Sequence, residues 1–519
     1  MSGLRSAIRA GRAVRALLML LAALMLTPAA LADDQTPPDP RFGVIETQDA
    51  PEAAADLGAA WTRVKFHWGV IQPEGPDQWV EPAPGDAAID AELAAGRQVI
   101  GLLIGIPDWA RDPDGLPRGL YLAPDDAGNS WAAFVREAVR RYRGRIDHWI
   151  VWNEPDIWDA AHPTATWAGS EADFARLLKV TYLAAKGANP EAVIHLAAFT
   201  HWWDALYDRE PYFGRLLDEL AADPEAAASG YYYDVATMHI YFNPATVYEL
   251  LEQYRAIQAA HGLEHPFWLV ETNAAPSSDP ARVVVDPTFR ISPLEQAAYM
   301  PQALALALAG GAERIGVYKL IDTPGDLLAN PEPFGLLRED GSPRPAYLTT
   351  TVAFEQLAGA ISVEWVDRGP AAQVVIEKPG QVVRLVWSRL PAAQTVRLPA
   401  LASSAQVLDM WGNAREVLAE GGSYMLTLAA GECQETVGDF CMIGGPPLYV
   451  IEQGDGPAAD ADLSLSITPD AGVIVLQGAP DRLLLWVGVC WLVVMLAAAS
   501  VLTGWRAGMA LRGPQTKEE

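Results

Sequence analysis

Between residues 41 and 360, eight short apolar runs alternate with stretches of helical periodicity, and that rhythm leaves few folds open. The runs are Phe42–Ile45, Trp61–Phe66, Gln98–Ile106, Ile146–Trp152, Val193–Phe199, Val235–Tyr241, Pro266–Glu271 and Arg314–Leu320. Near-continuous apolar runs are what parallel strands buried on both faces look like. The clearest helix is Trp131–Arg143, with Trp131, Phe134, Val135, Ala138, Val139 and Tyr142 at helical spacing. Asn129 or Ser130 can cap its start and Gly144 can end it. Further helical stretches are Glu171–Lys186, Tyr212–Ala222, Ala245–His261 and Pro293–Gly310. Strand–helix units repeated over about 300 residues predict a (β/α)8 TIM barrel, placed at 33–361. A doubly wound open sheet shares this periodicity, and the pattern alone does not exclude it.

After residue 361 the period changes. Val363–Asp367, Gln373–Glu377, Val382–Trp387, Thr395–Leu398, Ala405–Trp411 and Tyr424–Leu428 are short strands separated by turn signals such as Gly412-Asn413 and Gly421-Gly422. They predict a small all-β sandwich domain over 362–454. Residues 455–481, rich in Asp, Ala, Gly and Pro, read as a linker.

Both ends of the chain carry membrane-related signals. Arg5, Arg9, Arg12 and Arg15 precede the apolar core Ala16–Leu26 and the small-x-small triplet Ala30-Leu31-Ala32, so residues 1–32 are expected to be a secretory signal peptide, with an uncleaved anchor as the alternative. Leu483–Trp505 is free of charge and long enough to span ~30 Å of hydrocarbon. A transmembrane helix is therefore expected over 482–506, with a cytoplasmic tail over 507–519. Arg506, Arg512 and Lys517 follow the run, which would keep the bulk of the protein on the outer side. The formal net charge of -28 and the lack of a basic patch argue against nucleic acid as a partner. Of three cysteines, Cys433 and Cys441 lie close together in the β region, where a disulfide is plausible, and Cys490 falls inside the apolar run.

Two glutamates sit where buried strands should end: Glu154 in Trp152-Asn153-Glu154-Pro155 and Glu271 in Trp268-Leu269-Val270-Glu271-Thr272-Asn273. Barrel enzymes hold their chemistry at the C-terminal ends of strands. Two carboxylates facing each other across a barrel mouth are the working parts of a glycoside hydrolase, one keeping a proton for the leaving oxygen and the other staying ionised. Arg63 on the second strand can hold Glu271 ionised, and Tyr241 at the end of the sixth can donate a hydrogen bond to it. His239 shares a face with Tyr241, and Asn153 is suited to bind the hydroxyl next to the reacting centre.

The motif Trp152-Asn153-Glu154-Pro155 resembles the acid/base motif of clan A glycoside hydrolases, in which an Asn-Glu pair ends strand four and a second Glu ends strand seven. The resemblance implies Glu154 as acid/base and Glu271 as nucleophile of a retaining hydrolase. Arg63, His239 and Tyr241 match the clan's strand-two Arg and its strand-six His and Tyr. Phe334-Gly335-Leu336-Leu337-Arg338, Asp340-Gly341 and Pro345-Ala346-Tyr347 resemble the end of bacterial barrels related to families 39 and 5, and the β unit resembles the family 39 layout. The likeness spans roughly residues 41 to 450. It breaks at strand eight, where clan members often carry a Trp and this chain has Gly316-Val317-Tyr318-Lys319-Leu320. Tyr318 or Lys319 would take its place, and a lysine there would suit an acidic sugar.

Aromatic residues crowd the strand ends: Trp68, Trp109, Trp158, Trp202, Trp203 and Tyr241, of which Trp68 and Trp109 are the expected sugar platforms. His67 and His201 form no metal-ligand spacing, so no metal or other cofactor is expected. The expected activity is hydrolysis of O-glycosidic bonds in a poly- or oligosaccharide. A catalytically silent carbohydrate receptor and a transglycosylase using the same residues are the alternatives.

Overall fold

The computed structural model describes residues 37–159, 161–162, 164–454 and 463–467. The leader 1–32, the run 483–505 with its basic flank, and most of the 455–481 linker lie outside the described residues. Among the described residues no helix is long and apolar enough to cross a membrane.

Eight strands form the first sheet: β1 (Phe42–Val44), β2 (Trp61–His67), β3 (Gln98–Ile104), β4 (His148–Val151), β5 (Val193–His195), β6 (Ala236–His239), β7 (Phe267–Thr272) and β8 (Ala312–Val317). Their order is β5-β4-β3-β2-β1-β8-β7-β6, and neighbours run parallel. Parallel bridges His195↔Val235 and Phe199↔Met238 join the two edges, so the sheet closes and the open-sheet alternative falls. Closure removes both sheet edges, and the helices cover the outer face.

The helices form where the apolar stripe and the caps coincide. Ser130–Tyr142 buries Trp131, Phe134, Val135, Ala138, Val139 and Tyr142, and the Asn129 side chain accepts from the N–H of Ala132 at 3.0 Å. Ser170 and Ser292 begin Glu171–Ala188 and Pro293–Ala309 with reciprocal capping boxes. Pro51–Leu57 and Asp86–Ala94 are helices too, although their alanine-rich sequences carry no clear apolar stripe. Low in the barrel, Gly43 and Gly316 make room for the Trp61 indole, where an added Cβ would lie 2.2 Å and 2.6 Å from the ring. Trp61 meets Trp268 at 6.0 Å, which fills the floor beneath the mouth.

The rest is antiparallel: β9 (Ser362–Arg368), β10 (Ala371–Lys378), β11 (Gln381–Ser388), β12 (Gln394–Pro399), β13 (Ser404–Asp409), β14 (Ala414–Leu418), β15 (Ser423–Leu428), β16 (Thr436–Val437), β17 (Phe440–Cys441), β18 (Leu448–Gln453) and β19 (Ser466–Ile467). A sheet ordered β14-β13-β18-β11-β10-β9 faces the sheet β15-β12-β19 across Val386, Val396, Leu398, Val407, Tyr424, Leu426 and Val450. The expected sandwich is present. Part of the expected linker is not free, because β19 pairs with Val396 and Arg397. Barrel and sandwich are sewn together by Gln302, whose amide donates to the carbonyls of Gly444 and Gly445 and accepts from the Gly444 N–H. Cys433 and Cys441 are joined in a disulfide.

Candidate active site

Two backbone irregularities bring the glutamates into the barrel mouth. Trp268 and Glu271 are three residues apart on β7, yet they meet Trp61 and Arg63, which are two apart on β2. In a regular strand an odd spacing would point them to opposite faces. The pairing of β7 slips against β6 after Met238 and against β8 between Leu269 and Thr272. This bulge swings Glu271 inward, and re-aiming a side chain beside a site is a recurrent use of bulges. At the end of β4, Trp152 and Glu154 both take left-handed conformations, with φ of 74° and 48°. Such values are uncommon outside glycine and collect at functional sites. The turn is held because Trp152 N–H donates to Leu103 and Glu154 N–H to Ala198, at 2.9 and 3.1 Å.

Glu271 is buried and fully partnered. Arg63 pairs with its Oε1 and the Tyr241 hydroxyl donates to its Oε2. His239 Nδ1 lies 3.5 Å from Oε2 and is hydrogen-bonded to Glu154 Oε1 at 2.7 Å, so one imidazole spans both carboxylates. Burial pushes the Glu271 carboxyl up, but His239 and Arg63 by their charge, and Tyr241 and Arg63 by hydrogen bonding, outweigh it and hold it below the ordinary range. Burial and the charge of Glu271 raise the Tyr241 phenol well above its ordinary value, which keeps it a donor. Glu154 is more accessible, with 15% of its side chain exposed.

Of the other predicted residues, Asn153 is half-buried at the mouth and its carbonyl accepts from Thr166 at 2.7 Å. Tyr318 lies beside Tyr241 at 6.3 Å between ring centres and near Phe334 at 5.8 Å, so it does border the pair from β8. Lys319 does not present a free charge to a sugar. Its ammonium is buried between Glu46 and Asp326, and a neutralised cation cannot reward an acidic substrate. Trp68 is corrected as well. It is fully buried, packed on Trp131 and Phe134, and its indole N–H is spent on Gln72 at 2.7 Å, so it belongs to the core. Trp109 is half-buried, edge-on to Trp68, with its N–H given to the Gln72 carbonyl.

Asp156 was not anticipated. Its buried Oδ2 accepts from the Thr200 N–H and hydroxyl, both at 2.8 Å, and from the His201 N–H at 3.0 Å. Burial, with the charges of Glu154 and Asp204, raises this carboxyl to about 7 against the Thr200 hydrogen bonds. Only its place two residues after Glu154 hinted at a role.

His239 and one oxygen each of Glu154 and Glu271 lie within 4.8 Å of one another, close enough for a cation. Both Glu271 oxygens already hold a donor, however, and a cation at Oε1 would face the Arg63 guanidinium. A cation at Glu271 would therefore have to displace these donors.

No protein-family model and no curated protein matches the chain. Solved structures do. A family 39 glycoside hydrolase from the gut symbiont Bacteroides cellulosilyticus is similar with a TM-score of 0.59 at 17% identity, over 80% of this chain and 81% of that one. A glucosidase from Croceicoccus marinus follows at TM-score 0.51 and 13% identity, over 78% and 91%. The catalytic domain of GH30 xylanase C from Talaromyces cellulolyticus gives 0.50 at 14% identity, over 79% and 96%. The chain thus shares its fold with these structures over about four fifths of its length.

Proposed function

We propose that this protein is a retaining glycoside hydrolase, with Glu271 as nucleophile and Glu154 as acid/base. The observation that carries the reading is the carboxylate pair itself: one oxygen of each lies within 4.8 Å of one of the other, Arg63 and Tyr241 clamp one carboxylate, and His239 bonds the other. Double displacement requires carboxyls about 5 Å apart, whereas inversion needs a wider gap for water. In the first step Glu271 attacks the anomeric carbon while Glu154 gives its proton to the departing oxygen. In the second, Glu154 takes a proton from water as that water displaces Glu271, which leaves as a carboxylate. Arg63 and Tyr241 favour the ionised state from which Glu271 attacks and to which it returns. Asn153 would bind the neighbouring sugar hydroxyl, and Tyr318 would border the reacting sugar.

The likeness to the family 39 enzyme supports the same assignment. The leader at 1–32 and the Cys433–Cys441 disulfide support export to an oxidising compartment, and the run 483–505 supports anchoring on the outer face of a membrane. The test is Glu271→Ala against wild type on a panel of aryl glycosides. Loss of turnover, with azide restoring it and yielding a glycosyl azide of inverted configuration, is the expected result. Full activity in the alanine variant would sink the proposal. For anchoring, the full chain should sediment with membranes and a chain ending at Gly454 should not.

A further inference from the structure

Among the described residues, the two exposed tryptophans are Trp158 and Trp202, and both belong to one surface cluster. Trp202 stacks on Trp203 at 4.7 Å with 19° between planes, and Trp203 stacks on Tyr207 at 5.2 Å and 22°. Trp158 meets Tyr207 edge to face at 4.9 Å, and the Arg209 guanidinium lies over the Trp158 ring at 5.3 Å. Trp203, in the middle, is buried, so the stack is a braced slab rather than a loose tuft. Trp202 has one face covered by Trp203 and is still 47% exposed, while Trp158 is 44% exposed and Tyr207 41%. Large exposed aromatic surface is costly in water, and a contiguous patch of it marks a binding surface.

Its place in the barrel says what binds. Trp158 follows Glu154 by four residues, so their Cα atoms are at most about 14 Å apart. Trp202 and Trp203 follow His201, and the Asp156 carboxylate ties Thr200 and His201 to the turn that bears Glu154. The platform is therefore built on the β4 and β5 loops, on the acid/base side, whereas Glu271 stands on β7. In double displacement the acid/base carboxyl faces the leaving oxygen. Whatever continues beyond that oxygen runs over the β4–β5 rim. A ring face is an apolar, rigid surface that loses little freedom on binding, and the C–H faces of pyranose or furanose units are the apolar surface a sugar offers.

We infer that Trp158, Trp202 and Tyr207, backed by Trp203, bind the reducing-end side of a glycan chain, so that the substrate continues past the scissile bond as a saccharide. Asp156 is the positioning residue that couples this platform to the acid/base turn. The inference rests on the glycosidase reading for its direction along the chain, and the following experiment separates the two.

The test compares the full chain with the Trp158→Ala/Trp202→Ala double variant. The probes are soluble xylan, mixed-linkage β-glucan, galactomannan and arabinan in native affinity gels, alongside turnover of nitrophenyl glycosides. An exposed stacking contact contributes roughly threefold to tenfold in affinity per ring. The expected result is retardation of the parent by at least one polysaccharide and a tenfold or greater weakening in the double variant. The melting temperature should be unchanged. Trp202→Phe, which keeps a ring face, should retain most of the retardation. Equal retardation of parent and double variant overturns the platform, as does retardation by none of the probes. Nitrophenyl turnover without platform-dependent retardation refutes the platform and leaves the glycosidase standing. Platform-dependent retardation without turnover of any substrate refutes the glycosidase and leaves a glycan-binding surface.

Discussion

Arg63→Met isolates the cation that faces Glu271 while roughly keeping the volume of the side chain. Both partners are almost completely buried, at 5% and 7% side-chain exposure, so water will not replace the lost charge. A pair of unit charges about 4 Å apart interacts by about 4 kcal/mol at an effective dielectric near 20, an upper bound of about three pH units. His239 and Tyr241 stay in place at Oε2 and keep part of the stabilisation. The acid limb of kcat/KM on a nitrophenyl glycoside is therefore expected to move up by one to two units, within the usual range of about one to three for a neighbouring opposite charge. A depressed carboxyl stabilises the fold above its unfolded pKa and loses that contribution as pH falls through its folded pKa. Because Glu271 is held low, the variant should be less stable at neutral pH by about 3–5 kcal/mol, the cost of leaving a buried charge unpaired, and the deficit should shrink in acid. Arg63→Lys, which keeps the charge without the fork, should move the limb less. An acid limb at its wild-type position in an active Arg63→Met enzyme would refute the electrostatic role given to Arg63.

Tyr241→Phe removes a hydrogen bond to a charged acceptor, worth about 1.5–3 kcal/mol, so the variant should lose about that much stability at neutral pH, and activity in acid should fall as the Glu271 carboxyl rises. Wild-type stability and wild-type activity in acid in that variant would contradict the clamp on Oε2. Asp156 has a folded pKa raised to about 7 from 3.8, so its contribution is complete at low pH and is lost as pH rises through about 7, up to roughly 4 kcal/mol. Asp156→Asn should therefore flatten the decline of melting temperature between pH 4 and 8, and an identical pH slope would show that the carboxyl does not titrate there. Trp68→Ala should destabilise the barrel by about 3–5 kcal/mol in chemical denaturation, as a core deletion does; a loss of substrate affinity with intact stability would return Trp68 to the binding surface.

The sequence carried the barrel because each strand is buried on both faces and each helix needs a stripe, so two periods alternate visibly. It pointed to the carboxylates and the trio Arg63, His239 and Tyr241 through their places at strand ends and the resemblance to clan A motifs, while the period of β7 by itself would have turned Glu271 away from them. It lost Asp86–Ala94, where alanine gives helix propensity without a stripe. It misplaced the tryptophans for a related reason. Trp68 and Trp202 both follow a strand, and only the three-dimensional path of the loop decides that the first turns under Trp131 and the second stays on the rim. Lys319 looked like a free cation because Glu46 and Asp326 are remote from it in sequence or on another turn, and pairing across strand ends has no local signature.

The β7 bulge is the least legible feature and the one on which the proposed chemistry depends most. Read as a regular strand, Phe267–Thr272 puts Glu271 on the face opposite Trp268, against the helices, where a carboxylate would have neither Arg63 nor Tyr241. A buried carboxylate without a cation would be protonated rather than nucleophilic. The extra residue in β7 therefore does more than aim a side chain. By bringing Glu271 to the face that Arg63 occupies, it decides the protonation state of the group. The same logic applies across the mouth, where the left-handed turn at Trp152 and Glu154 brings the second carboxyl to His239 rather than to Arg63. Two identical side chains thereby receive unlike surroundings from two local departures in backbone geometry, and unlike surroundings are what a double displacement asks of its two carboxyls.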